Sequence, residues 1–362
     1  MRITIIGAYG YTGLLICRKL EEKNIPFSVS GRNNEALKSI EEKFQCIVSS
    51  FSVDVQTEDG ISKILDSSDL IINCAGPFTE ESQKLILAIA QSGKTYLDIT
   101  GEVGFVRESK MRYDRNAISS GALLIHGCAF ESLPVDLAFA ILAKSFNVKQ
   151  AKIKETRTFY NFSQSRPSPG TKLTMKLARF RESLKISEGK WGTSDLLKDR
   201  LEINWEDETS LTVAVPYPLP EIAFTEWEYF PEESGSYLLL SAQEALFIKT
   251  DEKTGPTKEE IIQSHKQRKN VGPNEEERKL QQSKIVVSMK DSNGNHKSIL
   301  LTGTDMYLIT ANCILLAVSE IINGNQKLKG VIHPARLFEG RENEALRQIG
   351  IEMSEIKNFN IK

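Results

Sequence analysis

Over residues 1–140, short apolar runs alternate with amphipathic stretches. The runs at 2–6, 27–30, 46–49, 70–74, 95–99 and 122–126 have the length and composition of buried strands. Between them, residues 13–23, 34–44, 60–65, 80–92 and 105–120 place apolar side chains at helical spacing. Strand and helix in strict alternation bury both faces of a parallel sheet. The pattern therefore predicts an α/β chain that opens with a doubly wound Rossmann sheet of six strands.

Beyond about residue 130 the texture changes, with longer polar stretches, prolines at 216, 218 and 220, and β-type runs at 151–160 and 237–247. A second domain begins there. Residues 253–282 are strongly charged and read as a solvated helix or loop. The runs 284–289 and 297–301 flank Asn293-Gly294, the signature of a hairpin with a tight turn. Residues 305–322 and 342–349 return to helical spacing.

Composition narrows the classes without choosing among them. Of 362 residues, 40% are hydrophobic and 26% charged, and the formal net charge is -2, as in an ordinary globular protein. Lys and Arg (46) nearly balance Asp and Glu (48), so no nucleic-acid footprint is visible. Cys17, Cys46, Cys74, Cys128 and Cys313 are widely spaced and form no Cys-x-x-Cys pair, which fits reduced thiols in a cytoplasmic protein and no metal site. No signal peptide is read at the N-terminus, because strand-type residues run straight into glycines. The apolar run 307–322 is broken by Thr310, Asn312, Ser319 and Glu320, and reads as a core helix rather than a transmembrane span.

The first run leads into Gly7-Ala8-Tyr9-Gly10-Tyr11-Thr12-Gly13 and then a helix. In such a turn the first glycine permits the sharp bend, the second admits a pyrophosphate to the backbone, and the third lets helix pack on sheet. Phosphate donors are expected from the backbone of Tyr9, Gly10, Tyr11 and Thr12 at the helix start. The second strand ends Ser30-Gly31-Arg32, with no acid before Glu35. A carboxylate there would hold a free ribose 2′-hydroxyl, whereas Arg32 and Ser30 suit a 2′-phosphate, so NADP(H) is the expected cofactor. Asp54 is placed near the adenine.

Ligands of open α/β sheets sit beyond the carboxyl ends of the strands. That rule selects the loops 73–78, 98–102 and 127–136, with Ala75, Gly76 and Pro77 nearest the nicotinamide. Candidate proton donors on them are His126, Asp98 and Thr100, with Glu102 and Tyr11 also within the crevice. For His126 a packed structural role stays open beside catalysis, and Asp98 and Glu102 have helix capping as a second reading. His265, His296 and His333 read as surface residues.

These segments, together with Gly170-Thr171, 272–278, 303–307 and 330–335, resemble the saccharopine dehydrogenase-like oxidoreductases, in the branch that contains trans-acting enoyl reductases. The resemblance implies a Rossmann domain (1–130), a second α+β domain with a mixed sheet for substrate and dimerisation (131–304), and a C-terminal helical segment that packs back on the first (305–362). It implies an NADPH-dependent reductase of an activated C=C bond, or alternatively of a C=N bond, on a small-molecule or carrier-tethered substrate, possible as a homodimer. The chain departs from the family at Glu131, where an Asp is more usual, and in the charged 253–282 segment. A non-catalytic NADP-binding sensor or assembly protein is the rival from another class.

Overall fold

The computed structural model describes residues 1–146, 152–205, 212–246, 256–266, 271–324, 328–356 and 359–361. Six strands of the first domain lie where the apolar runs predict them: β1 Ile3–Ile6, β2 Phe27–Gly31, β3 Ile47–Ser52, β4 Leu70–Asn73, β5 Thr95–Asp98 and β6 Leu123–Ile125. Between and after them run α1 Tyr11–Glu22, α2 Asn34–Glu41, α3 Glu58–Ser67, α4 Gln83–Ser92, α5 Val103–Ser120 and α6 Leu133–Ser145. Strands β1, β2, β4 and β6 are buried throughout, as an all-parallel sheet covered on both faces requires.

The second domain contributes β7 Ile153–Ser163, β8 Leu184–Ser187, β9 Lys190–Thr193, β10 Leu201–Trp205, β11 Thr212–Pro216, β12 Glu233–Ser241, β13 Gln282–Asp291 and β14 His296–Thr304. Its helices are α7 Pro169–Leu177, α8 Glu221–Tyr229, α9 Ala242–Leu246, α10 Lys258–Lys266 and α11 Glu275–Lys279. The predicted hairpin is β13 and β14, paired antiparallel from Gln282 with Thr304 to Lys290 with His296. The β-type run at 237–247 is strand only to Ser241 and then turns into α9, its last residue lying outside the described ones. The charged 253–282 segment carries α10 and α11, with parts of it also outside the described residues.

The tail departs from expectation. It holds α12 Met306–Ile322, β15 Gly330–Ile332, α13 Glu342–Ile349, β16 Glu352–Glu355 and β17 Phe359–Ile361, and so is not only helical. Strand β15 adds beside β6, making the first sheet seven-stranded in the order β15-β6-β5-β4-β1-β2-β3. Strands β16 and β17 lie at opposite ends of the second sheet, β16-β14-β13-β7-β12-β11-β10-β17, which is mixed because β7 and β12 run parallel while their other neighbours are antiparallel. A run of three residues is too short to show periodicity, which is why β15 escapes a pattern reading.

Alternation along β13 joins the domains. Ile285, Val287 and Met289 share one apolar cluster with α1, α6 and α12, whereas Val286 points to the opposite face with Phe159, Trp205 and Phe359. Helix α12 is the common spine: Ile309, Cys313, Ile314 and Ala317 are buried in the same cluster as Ile16, Cys17 and Leu20 of α1. Among the described residues no helix is long and apolar enough to cross a membrane, and no His/Cys/Asp/Glu group is arranged to hold a metal. His333, expected at the surface, is buried. Its Nδ1 lies 2.9 Å from Asp136 Oδ2 and its Nε2 3.3 Å from Glu228, while the same Asp136 oxygen accepts from the Ala335 N–H. Three elements of both domains are pinned by that one imidazole.

Candidate functional site

The turn after β1 is built as its glycines require. Gly7 has φ +77 and donates its N–H to the Ser30 carbonyl, and a side chain there would meet the Ala75 backbone at 3.0 Å. A Cβ on Gly13 would fall 2.5 Å from the Gly7 carbonyl oxygen, so only glycine lets α1 start this close to the strand. Gly10 is the N-cap and supplies no side chain to the first turn of α1. The N–H groups of Tyr11, Thr12 and Gly13 therefore face the turn as an anion site reinforced by the helix dipole.

At the end of β2, Arg32 is exposed, and the buried Ser30 hydroxyl has no hydrogen-bond partner among the described residues. Tyr9 lies across Gly31, where any Cβ would strike its ring, and its hydroxyl accepts from the N–H groups of Arg32 (3.0 Å) and Asn33 (3.3 Å). Tyr9 thus walls the ribose end rather than the pyrophosphate. Asp54 accepts from the Gln56 N–H and shapes the turn into α3 beside this edge. After β4, Asn73 braces its loop by accepting from the Ala75 N–H, and Ala75 and Gly76 stand exposed before the cis Gly76-Pro77 bond. An orphaned hydroxyl, an exposed guanidinium and an open glycine cradle in one line fit an NADP molecule.

Tyr11 behaves otherwise than expected. Its hydroxyl donates to the Pro273 carbonyl (2.5 Å) and lies 3.2 Å from Arg278 Nη1, and its ring meets Tyr307 edge-on at 4.9 Å. Arg278 in turn bonds Asp305, the N-cap of α12, at 2.9 and 3.0 Å. The side chain reads as a latch to the second domain, and only the backbone of Tyr11 is left for phosphate.

The catalytic candidates on β5 and β6 close on one another. Asp98, Thr100 and His126 are all 0% exposed. His126 Nδ1 lies 2.6 Å from Asp98 Oδ2 and its Nε2 2.8 Å from Ser109, while Asp98 Oδ1 accepts from the N–H groups of Thr100 and Gly127. Thr100 donates to Glu102 at 2.7 Å. With both ring nitrogens engaged and no surface open to the crevice, His126 and Asp98 hold the two loops together. For His126 this is the packed role that the sequence left open beside catalysis.

Beside these loops gather Glu131, which the sequence marks only as a departure from the family, and Glu221, which it does not single out. Glu131 in the loop after β6 brings Oε1 within 3.3 Å of where a Cβ on Gly101 would stand. Glu221 begins α8 and is 1% exposed, with Oε1 2.8 Å from the Tyr160 hydroxyl of β7. Burial pushes Glu131 up to about 7, with the charge of Glu102 adding to it. Burial likewise lifts Glu221 to about 8, opposed by the Tyr160 hydrogen bond and helped by Glu131. Tyr217, on the proline-rich turn before α8, is raised by burial and by the same carboxylates. Arg181 pairs with Glu102 at 3.0 Å on the rim. Loops of the first sheet and strands of the second thus meet around a group of carboxyls and phenols.

Comparison with known proteins agrees with this architecture. Residues 3–125 match the saccharopine dehydrogenase NADP binding domain. A trans-acting enoyl reductase of Mycobacterium ulcerans is 29% identical over 140 residues, covering 37% of this chain and 34% of that protein. A human saccharopine dehydrogenase-like oxidoreductase is 22% identical over 176 residues, covering 44% and 41%. A lipid droplet localized protein of Caenorhabditis elegans is 26% identical over 156 residues, covering 40% and 37%. The match to these relatives therefore spans well under half of their length. The apo saccharopine dehydrogenase (L-Glu forming) of Saccharomyces cerevisiae superposes with a TM-score of 0.64 at 11% identity, over 98% of this chain and 100% of that one, and shares the fold. Residues 3–125, built on the Gly7–Gly13 cradle, thus carry a saccharopine dehydrogenase NADP-binding domain.

Proposed function

We propose that the chain is an NADPH-dependent reductase that saturates an activated C=C bond of a small-molecule or carrier-tethered substrate. The observation that carries this reading is the contact of the glycine cradle at Gly7 with the exposed Ala75–Gly76 loop, beside strand-end loops against which Glu131 packs. Bound NADPH supplies the hydride. The chain supplies the rest: backbone N–H groups at α1 and the Arg32 guanidinium hold phosphates, the loop at 75–77 sets the nicotinamide face, and the second sheet walls the substrate from water. Reduction of a C=N bond is the second reading, favoured by Glu131, whose raised carboxyl can carry a proton to the nitrogen. The cytoplasm is the compartment and a homodimer the assembly of this proposal, which light scattering of the purified chain tests.

The purified protein is to be titrated with NADPH and NADH, then mixed with NADPH and either an enoyl thioester such as crotonyl-coenzyme A or a cyclic imine such as 1-pyrroline. Faster cofactor oxidation with the thioester supports the first reading, and with the imine the second. Tight NADPH binding with neither probe reduced favours a non-catalytic sensor. Arg32→Ala should weaken NADPH about 10-fold or more and leave NADH nearly unchanged, the worth of one charge-assisted pair.

A further inference from the structure

The Tyr160 hydroxyl lies 2.7 Å from the Glu131 carbonyl oxygen and 2.8 Å from Glu221 Oε1. A phenol has one proton to donate, and a peptide carbonyl can only accept. When Tyr160 donates to the Glu131 carbonyl, the second short contact requires a donor at Glu221, which a carboxylate lacks and a carboxylic acid has. Donation to Glu221 instead would leave two oxygens in contact with no proton between them. Glu221 Oε2 is buried, and the neighbouring Ser236 hydroxyl donates to the Tyr217 carbonyl instead, a position that penalises a full charge more than a neutral acid.

The Glu131 side chain, half-buried, extends from the same loop at the carboxyl edge of the first sheet toward the loop after β5. Its carboxyl approaches Gly101, where a larger residue would displace it, and no cation pairs with it among the described residues, Arg181 being committed to Glu102. The groups facing this pair are Glu102 at the start of α5, Tyr160 on β7, Tyr217 before α8, Cys313 on α12, and Arg181 beyond Glu102. Negative charge and burial therefore surround both carboxyls.

We propose that Glu131 is the catalytic acid of the reaction and that Glu221, held neutral against Tyr160, is the residue that positions its loop. This rests on the reductase reading above. In the step, the Oε–H bond of Glu131 breaks, its proton forms the C–H bond beside the activating group (or the N–H bond of an imine), and the carboxylate left behind regains a proton from solvent. The hydride completes the saturation at the other carbon.

Infrared difference spectra between about pH 6 and about pH 9, bracketing the expected titration, test protonation without any turnover. The wild type should show carboxylic-acid carbonyl bands that bleach at the higher pH, one lost in Glu131→Gln and another in Glu221→Gln. Absence of both losses overturns the assignment. With whichever probe the wild type reduces, Glu131→Gln should lower kcat about 100-fold and abolish the fall of rate above neutral pH, Glu131→Asp should restore part of it, and NADPH affinity should hold. Tyr160→Phe should shift that limb to a different pH with a smaller loss of kcat. Unchanged kcat in Glu131→Gln sinks the catalytic role. A wild type that reduces neither probe sinks the reductase reading instead, and the infrared bands still decide the protonation.

Discussion

Replacing His333 by Gln isolates one buried charge whose effect on stability has a definite sign. Burial works against protonation there, yet Asp136 at 2.9 Å and Glu228 at 3.3 Å outweigh it, and the imidazole is raised from 6.5 to about 9. A histidine raised by folding adds stability that is fully present below the unfolded value and is lost as pH climbs through the folded one. At about 1.36 kcal/mol for each pH unit, the rise amounts to about 3 kcal/mol. Glu131 and Glu221 are raised as well, from 4.5 to about 7 and about 8, so folding favours their protonated forms and the wild type loses stability from them as pH climbs between those values. That loss is common to wild type and variant and cancels in their difference, the sites being independent. Urea unfolding of both proteins at about pH 6 and about pH 9.5 should show the gap between them narrowing by about 3 kcal/mol at the higher pH. A gap that stays constant with pH would refute a charged His333.

Gly13→Ala should cost about 1–3 kcal/mol in stability through its collision with the Gly7 and Ala8 carbonyls, where an exposed helix site would instead gain from alanine, and should abolish NADPH binding measured by fluorescence titration. Arg278→Met removes the partner of a carboxylate only 5% exposed and should lower stability by about 3 kcal/mol in urea unfolding. Because Arg278 also contacts Tyr11, the same variant should release Tyr11 and weaken NADPH, whereas Tyr11→Phe keeps the ring packing and should lose only about 1 kcal/mol.

Much of the cofactor half was legible because its constraints are local. Gly7, Gly10 and Gly13 are dictated by backbone geometry within one turn, and the buried parallel strands announce themselves as short apolar runs. Tyr11 misled because its backbone serves the turn while its side chain answers to Pro273 and Arg278, far along the chain. The acid site was illegible for a related reason. Glu131, Tyr160 and Glu221 come from a loop, a strand and a helix start, none with a telling neighbour, and acquire meaning only when packing strips water from all three. His126 and Asp98 showed the reverse: their position at strand ends suggested chemistry, and burial turned them into a clamp.

Strand β15 also bears on how the chain acquires its shape. The Val331 N–H reaches Asp114 across 217 positions, and the Val331 carbonyl receives Lys110, so the edge of the nucleotide-binding sheet is sealed by a strand that follows β7–β14 in the chain. Until then β6 is an uncovered parallel edge, open to pairing with another nascent chain. The Rossmann portion is thus a domain by architecture and not by independence: its completion waits on β15, which follows β7–β14 of the second sheet in the chain.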